Sequence, residues 1–331
     1  MTSDALRAPI PEFFNLEVSS QCNLKCPYCP TGRGEIPMID RGYLTEADFE
    51  VIFNKIKPHA KVVQLFNWGE PFMHKGLLNF VRRFRDAGIK TQISSNLSVR
   101  EFSNKELEEI VESGLTSIVA SIDGLDQREY EAYRRNGDVK KAFGNLVRLK
   151  ETRDRMGSKT PHLIWAFHMN RHNEGQVERA KQTAEAEGLT IWFKELSCPP
   201  EFQSSTVEWW PDLFKVPDNL AELWTGRGTS LIGPDDLDPR LPKTCNVCLM
   251  PFEIMVIFTN GDVYPCTATI GREFAVGNLI EESVETIWHE KMAVNRQQLL
   301  NTSTRVAGSQ CYDCKHFPKS DVPQPITFEE A

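Results

Sequence analysis

Cys22, Cys26 and Cys29 stand within eight residues of one another in the run SSQCNLKCPYCPTG, directly after an apolar strand-like segment. On a loop, such a group offers three thiolates to a single iron–sulfur cluster. Three ligands leave one iron of a [4Fe–4S] cluster open, and an open iron binds a substrate or cofactor. A structural zinc site is the alternative. It would want a fourth ligand and a closed shell, and no histidine lies nearby in sequence to supply one. The chain holds nine cysteines, and most of the rest are also clustered: Cys245 with Cys248, then Cys266, then Cys311 with Cys314, with Cys198 apart. Disulfides are rare in a reducing compartment, so clustered cysteines there bind metal more often than they pair.

The elements that must position these groups follow a strand–helix alternation. Strand-like runs are FNLEVSS (13–19), KVVQLFNW (61–68), IKTQISS (89–95), LTSIVASI (115–122), HLIWAFHM (162–169) and TIWFKEL (190–196). Helical patterns lie between them. One opens at Thr45 with Asp48 three residues on, a capping-box-like start. Others end at Gly88, Gly114, Gly157 and Gly188, where glycine supplies the left-handed closing residue. Strands alternating with helices imply a parallel α/β sheet. Right-handed crossovers allow either a doubly wound sheet or a barrel, and periodicity does not separate the two. In both, a site gathers at the C-terminal ends of the strands.

Residues 198–244 lack a clear period and hold many prolines with Trp209, Trp210 and Trp224; they read either as a bridge covering the barrel mouth or as a surface linker. FEIMVIF and VYPC flank Asn260-Gly261, a strong hairpin signal. SVETIWHEKMAVNRQQLL reads as a helix, and the tail beyond Cys314 as loosely ordered. The expected boundaries are 1–197 for the barrel, 198–244 for the bridge or lid, 245–318 for the auxiliary domain and 319–331 for the tail. Over 331 residues the net charge is −8, which argues against a general nucleic-acid surface. No apolar run is long enough to span a bilayer, and no signal peptide is evident. The expected location is the cytoplasm.

The cysteine spacing after strand one resembles the signature of the radical S-adenosylmethionine (SAM) superfamily. The resemblance implies a partial (β/α)6 barrel, with Cys22, Cys26 and Cys29 holding the [4Fe–4S] cluster that cleaves SAM. Tyr28 stands where the family carries an aromatic beside the adenine. NWGEP (67–71) is similar to the Gly-Gly-Glu motif that holds the methionine amino group: Gly69 and Glu70 match, and Trp68 replaces the first glycine. Ser95 and Asn96 in ISSN, and Ser121 in SIDG, fall where the family approaches the ribose and the SAM carboxylate. Arg134 or Arg135 either pairs with that carboxylate or lies on a solvated helix face.

TCNVC, GDVYPC, GNL (277–279), the IW pair at 287–288 and CYDC resemble the SPASM/twitch extension, a small α+β domain with a β-hairpin. The resemblance implies one auxiliary [4Fe–4S] cluster held by Cys248, Cys266, Cys311 and Cys314; a structural zinc knot is the competitor. Cys245 either replaces Cys248 or stands free as a hydrogen-atom donor. Cys198 is either a second such thiol or a small buried apolar residue.

By this resemblance the bound SAM yields a 5′-deoxyadenosyl radical that takes a hydrogen atom from the substrate, and the auxiliary cluster accepts an electron. Dehydrogenation or epimerisation of a small polar molecule follows, a sugar, aminosugar or cyclitol, as in the aminocyclitol dehydrogenase and aminoglycoside epimerase of antibiotic biosynthesis. A flavodoxin or ferredoxin is the implied electron donor. His168 and Glu195, at the ends of strands five and six, are candidates to bind a hydroxyl or take its proton, with Asn170 and Arg171 as neighbours; each is also a candidate for a purely structural polar group. Two other classes remain open. One is a maturase of ribosomal peptides, for which strand one begins too early to leave room for a recognition domain ahead of the barrel. The other is a non-catalytic zinc or iron–sulfur scaffold.

Overall fold

A computed structural model describes residues 8–36, 42–196, 198–205 and 250–300, with side chains to residue 296. Its centre is one nine-stranded sheet in the order β6-β5-β4-β3-β2-β1-β7-β8-β9. The first six strands are Phe13–Leu16, Val62–Gln64, Lys90–Ser95, Ser117–Ser121, His162–Met169 and Thr190–Glu195. Each pairs in parallel with the next. The helices between them are α1 Pro30–Arg33, α2 Glu46–Ile56, α3 Leu77–Asp86, α4 Asn104–Glu112, α5 Gln127–Tyr133, α6 Val139–Arg155 and α7 Val177–Glu187.

Sequence chemistry accounts for the helix ends. The Thr45 hydroxyl accepts the Asp48 amide at 3.0 Å, as the motif suggests. A full capping box, not anticipated, joins Ser103 and Glu106 at the start of α4. The four helix-closing glycines all take positive φ. Outer-facing strand residues such as Phe14, Leu65, Ile93 and Trp165 meet the helices in one large core. There Phe49 stacks on Phe80 with ring centroids 3.9 Å apart. Inner-facing residues differ in kind. Asn15, Gln64 and Gln92 form a hydrogen-bonded row across β1, β2 and β3. The inner wall of β4, β5 and β6 packs Val119, Ile164, Ala166 and Trp192.

The C-terminal strands extend this sheet. The expected hairpin forms from β7 Ile254–Ile257 and β8 Asp262–Tyr264, paired antiparallel, with β9 Gly277–Asn278 beyond it. However, β7 also pairs in parallel with β1, register Phe13↔Ile254 to Leu16↔Ile257. Lys55 of α2 donates to the carbonyls of Leu279, Ile280 and Glu282 at 2.8–2.9 Å. The indole of Trp288 donates to Pro9 O at 2.7 Å. The GNL and IW segments therefore fasten the hairpin region to the barrel. The bridge from residue 206, Cys245, Cys248, Cys311, Cys314 and the tail lie outside the described residues.

Glu17, one residue past β1, locks two strand ends together. Its carboxylate is buried and accepts the backbone amides of Trp68 at 2.8 Å and Gly69 at 3.3 Å. Burial pushes its pKa up to about 7 against the opposing pull of those amides. A carboxyl raised on folding contributes stability that is complete below its unfolded value, 4.5, and lost as pH rises through 7. Glu17→Gln keeps an acceptor and removes the ionisation. Between pH 5.5 and 8 the native protein is expected to lose roughly 2 kcal/mol relative to this variant, read from denaturant midpoints. Parallel pH curves for the two proteins would exclude this role.

Candidate active site

Apart from Arg134, at the end of α5, and Cys266, beyond the antiparallel β8, every expected site residue among the described ones lies at the C-terminal ends of the parallel strands or on the loops that leave them. The cysteine loop follows β1 and runs into α1, with Cys29 at its N-cap and Pro30 in the first turn. It is held from several sides: Lys25 N donates to Arg135 O at 3.0 Å, and Asn23 Nδ2 to Ser98 O at 3.2 Å. Gly32 is required here, because a Cβ would come within 2.4 Å of Cys26 O.

Cys22, Cys26 and Cys29 pack together with Leu24, Tyr28, Tyr133, Leu196, Cys198 and Phe202. All three are free thiols. Burial pushes Cys22 up to about 12, with the Glu70 charge adding to it, and burial also raises Cys26. Binding a cation is what deprotonates such thiols. Among the described residues, no three histidine, cysteine or acidic side chains are arranged to hold one metal ion. A cluster makes no such demand, since each thiolate takes a different iron. The donor set therefore fits a cluster better than a lone zinc ion. Tyr28 stacks with Tyr133, centroids 6.3 Å apart, and meets Phe202 edge-on at 4.9 Å, an apolar wall beside the loop.

Gly69 sits so close to the β1 loop that a Cβ would fall 1.8 Å from Ser19 O. Glu70 is buried and already a knot. Oε1 accepts Phe72 N at 3.0 Å and Ser95 Oγ at 2.8 Å, and Oε2 accepts Asn96 N at 2.8 Å. Asn96 passes the connection on, donating to Asn23 Oδ1 at 3.0 Å and lying 3.8 Å from Cys22 Sγ. Ser95 and Asn96 thus tie the Glu70 loop to the cysteine loop. Ser121 faces inward and contacts Ser94 Oγ at 3.3 Å. Among the described residues, the buried atoms Asn67 Nδ2, Trp68 Nε1 and Asn15 Oδ1 have no hydrogen-bond partner. Orphaned buried groups of this kind at strand ends suit a polar ligand.

Asp123 is completely buried just after β4. Arg134, at the end of α5, donates Nε to Asp123 Oδ2 at 2.5 Å. The Arg134 charge also pulls the Cys26 thiol down against the rise that burial causes. His168 Nδ1 lies 3.0 Å from Asp123 Oδ1, and the His168 amide donates to the same oxygen at 2.7 Å. Burial alone would raise Asp123; Arg134 and His168 outweigh it and hold the carboxyl down at about 2. Burial in turn lowers His168 against the pull of Asp123. The ring is therefore neutral near pH 7, and an ionised Asp123 assigns the proton to Nδ1. Nε2 is left as an acceptor.

Glu195 is placed differently from expectation. Strand phase decides it: Trp192 faces the barrel interior, so the alternate residues Phe193 and Glu195 face outward, and Glu195 is exposed. The inward residue is Lys194, opposite His168 in register. Asn170 is buried and shapes the turn after β5, accepting the His172 amide at 2.9 Å. The unexpected Asn173 bridges Asp123 O and His168 O at 3.0 and 2.9 Å. Arg171 is exposed. Cys266 stands just beyond β8, its sulfur accepting the Ala268 amide at 3.3 Å. Among the described residues no helix is long and apolar enough to cross a membrane.

Residues 16–171 match the Radical SAM superfamily, and residues 245–315 match an iron–sulfur cluster-binding domain, SPASM. The GTP 3′,8-cyclase of Thermodesulfovibrio yellowstonii is 20% identical over 60% of this chain, which spans 56% of that relative's length. The tungsten-containing aldehyde ferredoxin oxidoreductase cofactor-modifying protein of Pyrococcus furiosus is 22% identical, covering 84% of this chain and 80% of its own. Among solved structures, BtrN in complex with AdoMet and 2-DOIA superposes with TM-score 0.52 at 18% identity, covering 88% of each chain. Streptococcus suis SuiB bound to its precursor peptide SuiA gives 0.64 at 17% identity, covering 95% of this chain and 72% of that one. These structures share the fold: an open α/β barrel with a C-terminal extension. With a cysteine triad after β1, strand-end motifs around it and both domains matched in order, this chain carries a radical SAM domain followed by a SPASM iron–sulfur domain.

Proposed function

We propose that this chain is a radical SAM oxidoreductase or epimerase acting at a C–H bond next to a hydroxyl of a small polar substrate, a sugar, aminosugar or cyclitol. The observation that carries the reading is the Asp123–His168 pair on the inner wall of the barrel. Cys22, Cys26 and Cys29 would hold the first cluster. Cys266 would hold a second, together with Cys248, Cys311 and Cys314. Gly69, Glu70, Tyr28, Ser95, Asn96, Ser121 and Arg134 would surround SAM. Bound there, these groups supply hydrogen-atom abstraction and, for net oxidation, an electron sink.

The chain's own part is orientation and proton movement. Asp123 fixes the His168 tautomer, and Nε2 accepts the hydroxyl proton as the carbon is oxidised. Arg134 keeps Asp123 ionised, and the carbonyl of the next residue, Arg135, accepts Lys25 N, so the support of the base adjoins the cysteine loop. The polar row of Asn15, Gln64 and Gln92 gives the interior hydrogen-bonding capacity suited to a hydroxyl-rich molecule. The likeness to SuiB makes a peptide substrate the competing outcome. Cys245, whether ligand or hydrogen-atom donor, separates the two products of the reading.

Three measurements test this. Reconstituted protein is expected to hold about eight irons and eight sulfides, falling by about four in Cys22→Ala with complete loss of SAM cleavage. Zinc in place of iron sinks the enzyme reading. The reduced enzyme is then offered sugars, aminosugars, cyclitols and peptides in deuterated water. An oxidised sugar-type product marks a dehydrogenase; solvent deuterium in the product, lost in Cys245→Ala, marks an epimerase; turnover of peptides alone overturns the substrate class. Finally, His168→Gln is expected to lower product formation about 100-fold or more while SAM cleavage continues uncoupled. The wild-type acid limb, with an apparent pKa below 6.5, is expected to vanish from the variant's pH profile. A retained limb assigns the proton transfer elsewhere.

A further inference from the structure

One cation on the inner wall has no task in the reaction as described. Lys194 is the register partner of His168 across β5 and β6. It follows Trp192, which packs inside the barrel on Val119, Ile164 and Ala166, so strand alternation brings Lys194 to the same interior. Its ammonium stands 4.2 Å from the Trp192 ring centroid. The carboxylate that acts on it, Asp123, is already bonded to Arg134 and His168. Among the described residues Lys194 forms no hydrogen bond or ion pair.

The local charge count is uneven. Arg134 and Lys194 are cations, Glu70 as well as Asp123 acts on Arg134, Asp123 is the one anion that acts on Lys194, and His168 is neutral. Among the described residues, Lys194 has no carboxylate of its own on this partly buried wall. Burial lowers the Lys194 pKa to about 8, which leaves most of the amine protonated near neutrality. A desolvated ammonium held only by a ring face lacks an anionic partner, and an anionic ligand oxygen supplies one.

We propose that Lys194 is the anion-binding end of the substrate pocket, so that the substrate carries a carboxylate or phosphate close to the hydroxyl that reacts. The inference rests on the reaction class proposed above, in which that hydroxyl lies at His168. Neighbouring strands stand about 4.8 Å apart, so hydroxyl and anion belong to the same or adjacent parts of one small molecule. Hydroxy acids of the sugar series and sugar phosphates meet this requirement; an uncharged cyclitol does not.

A carboxylate could also come from SAM, and the test separates the two sources. Inorganic phosphate and acetate are titrated calorimetrically into the reconstituted enzyme saturated with SAM, for wild type, Lys194→Met and Lys194→Arg. At least one anion is expected to bind wild type, to bind the Met variant about tenfold or more weakly, and to bind the Arg variant within about threefold of wild type. SAM affinity is expected to be equal in all three. A SAM affinity that falls in the Met variant and is kept in the Arg variant gives Lys194 to the cofactor and overturns the proposal. Anion binding that is absent in wild type, or unchanged in Lys194→Met, overturns it as well. Acylation of Lys194 by a trace of an N-hydroxysuccinimide ester, read by peptide mass spectrometry on wild type, needs no substitution. Phosphate or acetate added over SAM must slow it, and myo-inositol must not. Neither measurement needs turnover, so a failure to oxidise any sugar remains a separate result.

Discussion

The site is organised around one buried negative charge. A carboxylate withdrawn from water is tolerated only when it is paired and hydrogen-bonded, and Asp123 is served from three directions: the guanidinium of Arg134, the imidazole of His168 and the backbone amide of His168. Each partner belongs to a different piece of the barrel. Arg134 ends α5, beside Arg135, whose carbonyl accepts Lys25 N of the cysteine loop; His168 lies near the end of β5; Asp123 leaves β4. Meeting the needs of this one group therefore fixes the cysteine loop, the inner wall and the His168 ring relative to one another. Glu17 and Glu70 repeat the pattern on the other side of the barrel, where buried carboxylates hold backbone amides of neighbouring loops.

Much of this was legible in the residues. Strands such as HLIWAFHM were readable because they are covered on both faces and so run as nearly unbroken apolar segments, while KTQISS, with one apolar residue, was readable from its place after a helix-closing glycine. Helix ends were readable because glycine has a physical reason to be there. The cysteine triad was readable because few other chemistries need three thiols at that spacing. The Ser103–Glu106 capping box was also spelled out in the chain and escaped notice in a polar stretch.

What was not legible depended on distance or phase. The pairing of β7 with β1 joins residues some 240 positions apart, which no local pattern encodes. Glu195 and Lys194 are adjacent, and a short strand with apolar residues on both faces does not disclose which of two neighbours points inward. Asp123 stood in plain view within SIDG, but its importance comes from Arg134 and His168, which reach it only in three dimensions. Likewise, Ser95 and Asn96 were found by position, while their hydrogen bonds to Glu70 and the cysteine loop required the fold.

The shared ladder of β1 and β7 has a consequence for how this molecule can be divided. In a chain cut before residue 245, β1 would lose the partner on its open side and expose the backbone amides and carbonyls that β7 now occupies. An uncovered parallel edge of apolar residues, Phe13 to Leu16, is a template for joining other chains. The iron–sulfur extension is thus also the shield of the strand that delivers the radical-generating loop, and the two halves are one unit for expression and purification.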